Sequence, residues 1–147
     1  MATAPPMTIR VAGTQAGIRD ALEAFDAFRS RCALGHDAAW PVQVALDEVL
    51  ANIVGHAYGG RSDGVIDLDF TLTSSTLVVT VCDDGPAVDP LALPEPDTAL
   101  PLEARQPGGL GIRLVTHLMQ QVEYSRRDGR NRLVLIRELA PPSNGPG

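Results

Sequence analysis

The sequence predicts an α+β fold in which one largely antiparallel sheet is covered on one face by helices. Two observations lead to this prediction. Apolar patterns follow the order β, α, α, β, β, a Pro-rich stretch, α, β, β, without the regular alternation of a Rossmann fold. Two pairs of strands are also joined by short turn-forming links, which is typical of antiparallel hairpins. With 147 residues, the chain is long enough for one domain with a hydrophobic core.

The N-terminal region predicts one strand followed by one helix. Residues 7–11 alternate between apolar and polar side chains, as a short strand does. Thr14 is a suitable N-cap for a helix that runs to about Leu34, because its hydroxyl can accept a hydrogen bond from the first helical turn. Gly35 is expected to end that helix.

The second predicted helix begins at Asp37 as its N-cap, continues to the Gly-Gly pair at 59–60, and carries an unusual polar face. Glu48 and Asn52 lie four residues apart, so they stack one turn above the other. Small residues are expected around them: Ala45, Ala51 and Gly55. Small side chains let a ligand approach closely, and the carboxylate and the amide could then contact it. The alternative is that both are ordinary solvated side chains.

The remaining chain predicts two hairpins separated by a Pro-rich segment and a helix. The hairpin strands are 65–72 with 77–82, and 122–126 with 132–139, the second pair turning at Asp128-Gly129. Six prolines and no sustained periodicity mark residues 86–107, which are interpreted as a lid. We expect one domain over residues 1–140 and a disordered tail at 141–147.

Composition excludes several classes of function. The formal net charge of −6 argues against direct binding to nucleic acid, whose phosphate backbone attracts basic surfaces. No apolar run is long enough to span a membrane, and the first residues lack a signal-peptide pattern. Cys32 and Cys82 form neither a disulfide framework nor a metal-binding spacing, and Cys82 is expected to be buried, which favours a cytoplasmic protein.

Two further stretches suggest a nucleotide site. Asp83 follows the strand 77–82, and a carboxylate only accepts hydrogen bonds, so it would select the exocyclic amine of adenine over the carbonyl of guanine. The alternative is a simple Asp-Gly turn. The glycines at 108–111 precede a helix, where bare N–H groups attract anions, although a flexible loop is equally compatible. The chain contains no Lys, so this is not a P-loop.

Together these stretches resemble the GHKL ATPases. Glu48 and Asn52, with the sequence His-Ala-Tyr at 56–58, resemble the N box of that family. Asp83 through Asp89 resembles its first glycine box, and residues 108–111 resemble its second. The His-Ala-Tyr and Gly-Gly-Leu-Gly sequences are similar to those of bacterial anti-sigma-factor serine/threonine kinases of the switch-protein type. The resemblance extends from about residue 8 to residue 139.

The resemblance implies a Bergerat fold, with a mixed, mostly antiparallel sheet under three helices and an ATP lid, and it implies ATP and Mg²⁺ as cofactors. Glu48 would be the general base and Asn52 would hold Mg²⁺. Arg105 is the nearest candidate for a lid residue that contacts the γ-phosphate. The implied nucleotide-binding set is Asn52, His56, Asp83, Gly85, Asp89, Arg105, Gly108, Gly109, Leu110 and Gly111.

The chain departs from the family pattern at two places. Ala87 stands where the first glycine box usually has a second glycine, and its methyl group would crowd the nucleotide or stiffen the lid hinge. Near the end, Gly129-Arg130-Asn131 stands where the family often has a Gly-Thr pair, which leaves that contact open.

The resemblance implies an ATP-dependent serine/threonine protein kinase that is also an anti-sigma factor. Its partners would be a STAS-type anti-sigma-factor antagonist, which it phosphorylates, and a sigma factor, which it sequesters; a homodimer is a further possibility. One alternative is a nucleotide-gated binding regulator without kinase activity, which Glu48 argues against. The others are a histidine-kinase catalytic domain, which needs an upstream phospho-acceptor helix, and a domain with an inactive pocket.

Overall fold

The computed structural model describes residues 5–57, 64–87, 89–92 and 109–139. Its strands are β1 (Met7–Ala12), β2 (Val65–Thr73), β3 (Thr76–Asp83), β4 (Gln121–Arg127) and β5 (Arg130–Glu138). Its α-helices are α1 (Gln15–Arg31), α2 (His36–Asn52) and α3 (Gly109–Leu118). A π-helical turn, Ile53–Ala57, extends α2, and a short 3₁₀ turn covers Pro90–Ala92.

The five strands form one sheet in the order β1-β2-β3-β5-β4. All four pairings are antiparallel, which confirms the predicted α+β class; the expected mixed sheet is wholly antiparallel over the described residues. Both predicted hairpins form. Asp128 and Gly129 adopt φ values of 55° and 75°, the left-handed pair that lets a two-residue turn follow the twist of the flanking strands.

The helices cover one face of the sheet and share a single core with it. Phe70 of β2 packs against Phe25 and Phe28 of α1, with ring centroids 5.5 and 5.8 Å apart. Leu46 of α2 and Val115 of α3 are buried in the same cluster. No helix among the described residues is long and apolar enough to cross a membrane.

The start of α1 lies tightly against the end of β1. The Thr14 hydroxyl accepts a hydrogen bond from the Gly17 N–H at 3.1 Å, which confirms Thr14 as the N-cap. A methyl group on Gly17 would overlap the carbonyl of Ala12, so this approach of helix to strand requires glycine.

The junction between α1 and α2 differs from the prediction. Helix α1 ends at Arg31, and Ala33 adopts a left-handed φ of 54°, so the predicted end near Leu34 was wrong. Gly35 is instead the N-cap of α2, and its carbonyl accepts from the Ala39 N–H at 3.1 Å. Asp37 was therefore wrongly predicted as the cap. It lies within the first turn, where a carboxylate is favoured by the helix dipole.

The opposite face of the sheet carries a cluster of charges. The Arg10 guanidinium donates from Nε to Asp67 Oδ1 at 2.7 Å, and Arg130 donates to Oδ2 of the same carboxylate. The hydrogen bond from Arg10 is the main cause of an Asp67 pKa below its usual range. Cys82, which was expected to be buried, pairs with Asp67 on this face and is only half-buried. Desolvation raises the pKa of its thiol.

This charge cluster should make stability depend on pH in the acidic range. The folded-state pKa of Asp67 is depressed, so its contribution is present above the unfolded-state pKa and is lost as pH falls through the folded value. We expect Asp67→Asn to lower the free energy of unfolding by about 1 kcal/mol at pH 7. Urea denaturation at several pH values should show the difference from wild type shrinking below pH 4; a difference independent of pH would contradict this role.

Candidate functional site

Asp83 lies at the end of β3, on the face of the sheet that the helices cover. It pairs in register with Ile66 of β2 on one side and Asn131 of β5 on the other, and Asn131 in turn pairs with Arg126 of β4. Directly paired residues point to the same face. Ile66 belongs to the core. The row of paired residues therefore begins in the core and continues through three polar side chains, those of Asp83, Asn131 and Arg126.

The Asp83 carboxylate is buried and held by two donors. It is 5% exposed, and its Oδ1 accepts from the Gly85 N–H at 2.9 Å and from Asn131 Nδ2 at 3.0 Å. Gly85 thus acts through its backbone, in the turn that follows β3. Both of these hydrogen bonds are accepted by the same oxygen, Oδ1.

Asn131 is a site residue that sequence analysis noted only as a departure from the family pattern. It is 6% exposed, and its Nδ2 also donates to the Pro86 carbonyl at 2.8 Å. Sequence offers one signal for it, a short amide side chain next to the apolar run Leu-Val-Leu-Ile at 133–136. Its pairing with Asp83 comes from the strand register, which the sequence does not specify.

Glu48 and Asn52 both lie on α2 and are half-buried. Glu48 meets the first turn of α3, where a methyl group on Gly111 would overlap its carboxylate oxygen Oε2. The predicted second glycine box is therefore in contact with the predicted base. The prediction of small residues around these two side chains was partly wrong, because Ala45 is fully buried in the core. Ala51 and Gly55 are exposed, as expected.

The Asn52 side chain fits a metal or a polar ligand. Its Nδ2 is buried and has no hydrogen-bond partner among the described residues. Amide nitrogen and oxygen are interchanged by rotating the group, so the same position can present an oxygen. Mg²⁺ requires oxygen ligands and often takes only one or two from the protein, with substrate phosphates and water supplying the others. The described residues contain no cluster of three or more His, Cys, Asp or Glu that could hold a metal ion.

The remaining predicted site residues fall into two groups. Asp89 accepts from the Leu91 N–H at 2.9 Å and so begins the short 3₁₀ turn. The backbones of Gly109 and Leu110 open α3, and that of His56 lies in the π-helical turn after Asn52. Arg105, Gly108, Tyr58, most of the predicted lid and the predicted tail lie outside the described residues.

Comparisons with known proteins agree with this geometry. Residues 11–137 match the family model of the histidine kinase-like ATPase domain. The chain is 40% identical over 97 residues to the serine/threonine-protein kinase BtrW of Bordetella bronchiseptica, an alignment that covers 66% of this chain and 68% of that protein. It is 29% identical over 104 residues to the serine-protein kinase RsbW of Listeria monocytogenes, covering 68% of this chain and 66% of that one. The chain thus spans about two thirds of these relatives.

A solved structure has the same fold. The RsbU and RsbW domains of a Mycobacterium tuberculosis protein superpose with a TM-score of 0.68 at 18% identity, covering 95% of this chain and 34% of that one. An ATPase domain of this kind uses ATP. The chain belongs to the histidine kinase-like (GHKL) ATPase family, in its branch of anti-sigma-factor serine/threonine-protein kinases.

Proposed function

We propose that the chain transfers a phosphoryl group from ATP to a serine or threonine of a STAS-type anti-sigma-factor antagonist, and that it sequesters a sigma factor in a partner switch. The observation that carries the enzymatic part is the contact of Glu48 with Gly111. This contact brings a carboxylate next to the first turn of α3, and the N-terminus of a helix favours phosphate. Glu48 also lies one helical turn from Asn52 on α2.

The adenine end of the site would be read by Asp83. Its Oδ1 is occupied by the Gly85 N–H and the Asn131 amide, which fixes the plane of the carboxylate. The Oδ2 atom can then accept a hydrogen bond from the amino group of adenine. Guanine presents a carbonyl at the corresponding place and would be repelled.

The phosphate end would lie at the start of α3. Helix α3 begins with the sequence Gly-Leu-Gly at 109–111, so two of its first three residues carry no side chain that could cover the backbone N–H groups. Asn52 would hold Mg²⁺ through its side-chain oxygen, and the ion would neutralise charge on the phosphates. The N–H groups and Asn52 would together orient the γ-phosphate.

Glu48 would act as the general base. Phosphoryl transfer requires little covalent chemistry from the protein beyond positioning, charge neutralisation and a group that accepts the hydroxyl proton. The Glu48 carboxylate is half-buried beside the first turn of α3, which supports a place for it in the same site as the proposed phosphate-binding groups. Glu48 would take the proton of the substrate hydroxyl as its oxygen attacks phosphorus.

The protein partners are proposed from the relatives. BtrW is named a serine/threonine-protein kinase and RsbW a serine-protein kinase, which supports a protein substrate. The solved neighbour contains RsbU and RsbW domains in one chain, which is consistent with regulation by protein partners. The competing hypothesis, a nucleotide-gated regulator without kinase activity, needs no base at position 48.

An affinity purification followed by phosphotransfer would test this function. The tagged chain, purified from its native cells with and without ATP, should retain a STAS-type protein and a sigma factor, as identified by mass spectrometry. Incubating the recovered STAS-type protein with the chain, Mg²⁺ and ATP should add phosphate to one serine or threonine. ATP-dependent retention of partners without any phosphorylated residue would instead support the regulator without kinase activity.

A further inference from the structure

We propose that Arg126 is the positioning residue of the adenine site. It would fix the orientation of Asn131 and of the turn after β3, and through them the Asp83 carboxylate that selects adenine. This inference rests on the proposed nucleotide site. It concerns residues of β4 and β5 that the sequence analysis did not assign to the site.

Arg126 determines which way the Asn131 amide faces. Arg126 Nη1 donates to Asn131 Oδ1 at 3.1 Å, and the Tyr124 hydroxyl donates to the same oxygen. A guanidinium has donors only, so the side of the amide that faces it must be the oxygen. The nitrogen therefore faces Asp83 Oδ1 and the Pro86 carbonyl, both of which are acceptors. A reversed amide would place oxygen against carboxylate and nitrogen against guanidinium.

The Asn131 amide has no capacity left for a nucleotide. Its oxygen accepts from Tyr124 and Arg126, and its nitrogen donates to Asp83 and Pro86. A primary amide has two donor hydrogens and two acceptor lone pairs, all of which are then used within the protein. Asn131 thus affects the recognition of adenine through Asp83 and makes no hydrogen bond of its own to the nucleotide.

The second contact of Arg126 holds the first glycine turn. The same Nη1 donates to the Gly85 carbonyl at 2.9 Å, while Nη2 donates to the Gly129 carbonyl at 3.2 Å. One planar side chain therefore joins the turn after β3 to the β4–β5 turn. Gly85 supplies the other hydrogen bond to Asp83, so Arg126 contacts both residues that donate to the carboxylate.

Nucleotide selectivity measures this role directly. We expect Arg126→Met to weaken ATP binding by about 5- to 30-fold, the effect of losing a few hydrogen bonds to charged or buried groups. GTP binding should stay as it is or tighten, because the guanine carbonyl gains nothing from a correctly held Asp83 and is repelled by it. The ratio of the two dissociation constants, measured by calorimetry with each nucleotide and Mg²⁺, should therefore fall by at least that factor. Asp83→Asn provides the reference for complete loss of the ratio.

The matched control is Arg127→Met. Arg127 is the next residue of β4, is exposed, and points to the opposite face of the sheet, so the variant loses the same charge without the proposed contacts. It should leave the ratio unchanged. A general electrostatic effect of arginine on a triphosphate would instead weaken ATP and GTP equally in both variants.

A conservative replacement and urea denaturation distinguish an effect on the position of Asp83 from a loss of folded protein. Arg126→Lys keeps one charged donor but not the planar pair, so its ratio should lie between wild type and Arg126→Met. If urea denaturation shows that Arg126→Met does not fold, the ratio of the ATP and GTP dissociation constants of Arg126→Lys tests the proposal instead. A wild-type ratio in the folded variant overturns the proposal, whereas absence of adenine selectivity in the wild type overturns the proposed nucleotide site itself.

Discussion

Glu48→Gln should abolish most phosphotransfer while leaving ATP binding nearly unchanged. The substitution keeps the size and shape of the side chain but removes the group that can take a proton. General base catalysis is typically worth about 10²- to 10⁴-fold in rate, and we expect a loss of that size. Rates of phosphorylation of the cognate partner and calorimetric ATP affinity would be measured on the same preparation.

Asn52→Ala is the informative comparison, since Asn52 shares a helix face with Glu48 but has a different proposed role. Losing the side-chain oxygen that would hold Mg²⁺ should reduce Mg-ATP affinity and phosphotransfer together. The two variants should therefore fail differently. A normal rate of transfer by Glu48→Gln would mean that Glu48 is not the base, and the hypothesis of a regulator without kinase activity would gain support.

Gly111→Ala should separate activity from stability. The added methyl group would overlap Oε2 of Glu48, which is the flexible end of a side chain, so the carboxylate should move and the fold should tolerate the change. Alanine is a better helix former than glycine by about 1 kcal/mol, which favours equal or higher stability. A misplacement of about 1 Å can cost about 10²-fold in rate, and we expect a loss near that value.

Urea denaturation and phosphotransfer rates would measure both effects, with Gly35→Ala as the control. Gly35, at the other end of α2 from Asn52, has open space where a methyl group would go, so its substitution should leave Glu48 in place. The double variant Glu48→Gln/Gly111→Ala should be no slower than Glu48→Gln alone if the methyl group acts through that carboxylate. Multiplied losses, or an equal fall in ATP affinity, would show that Gly111 acts on the phosphates instead.

Local patterns predicted the elements of the fold well, because hairpins and amphipathic helices are encoded by neighbouring residues. Asp128-Gly129 marked one turn, and Thr14 marked the start of α1. The end of α1 was missed because Ala33 adopts a left-handed conformation that sequence reasoning assigns to glycine. Ala45 was placed on the small face of α2, since its burial depends on packing with other elements and not on helical spacing alone.

The candidate site was predicted unevenly for a related reason. Glu48 and Asn52 are one helical turn apart, so their juxtaposition follows from spacing. The contact of Glu48 with Gly111 and that of Asp83 with Asn131 depend on how distant segments pack and pair. No spacing rule gives the register of β3 against β5. Arg126 could not be assigned to the site from sequence for the same reason. It is brought near Asp83 only by two strand pairings, β4 with β5 and β5 with β3.

The pairing of β3 with β5 also bears on how this chain can vary in length. The hydrogen bond from Asn131 to Asp83 joins residues 48 positions apart, and the Pro-rich segment lies within the loop that this pairing closes. The entropic cost of closing a flexible loop grows only logarithmically, by about 0.6 kcal/mol for each doubling of its length. Insertions or deletions between β3 and α3 would therefore change the free energy of unfolding little. The segment proposed as the lid can differ in length among such chains while the five paired strands and the Asp83 site stay the same.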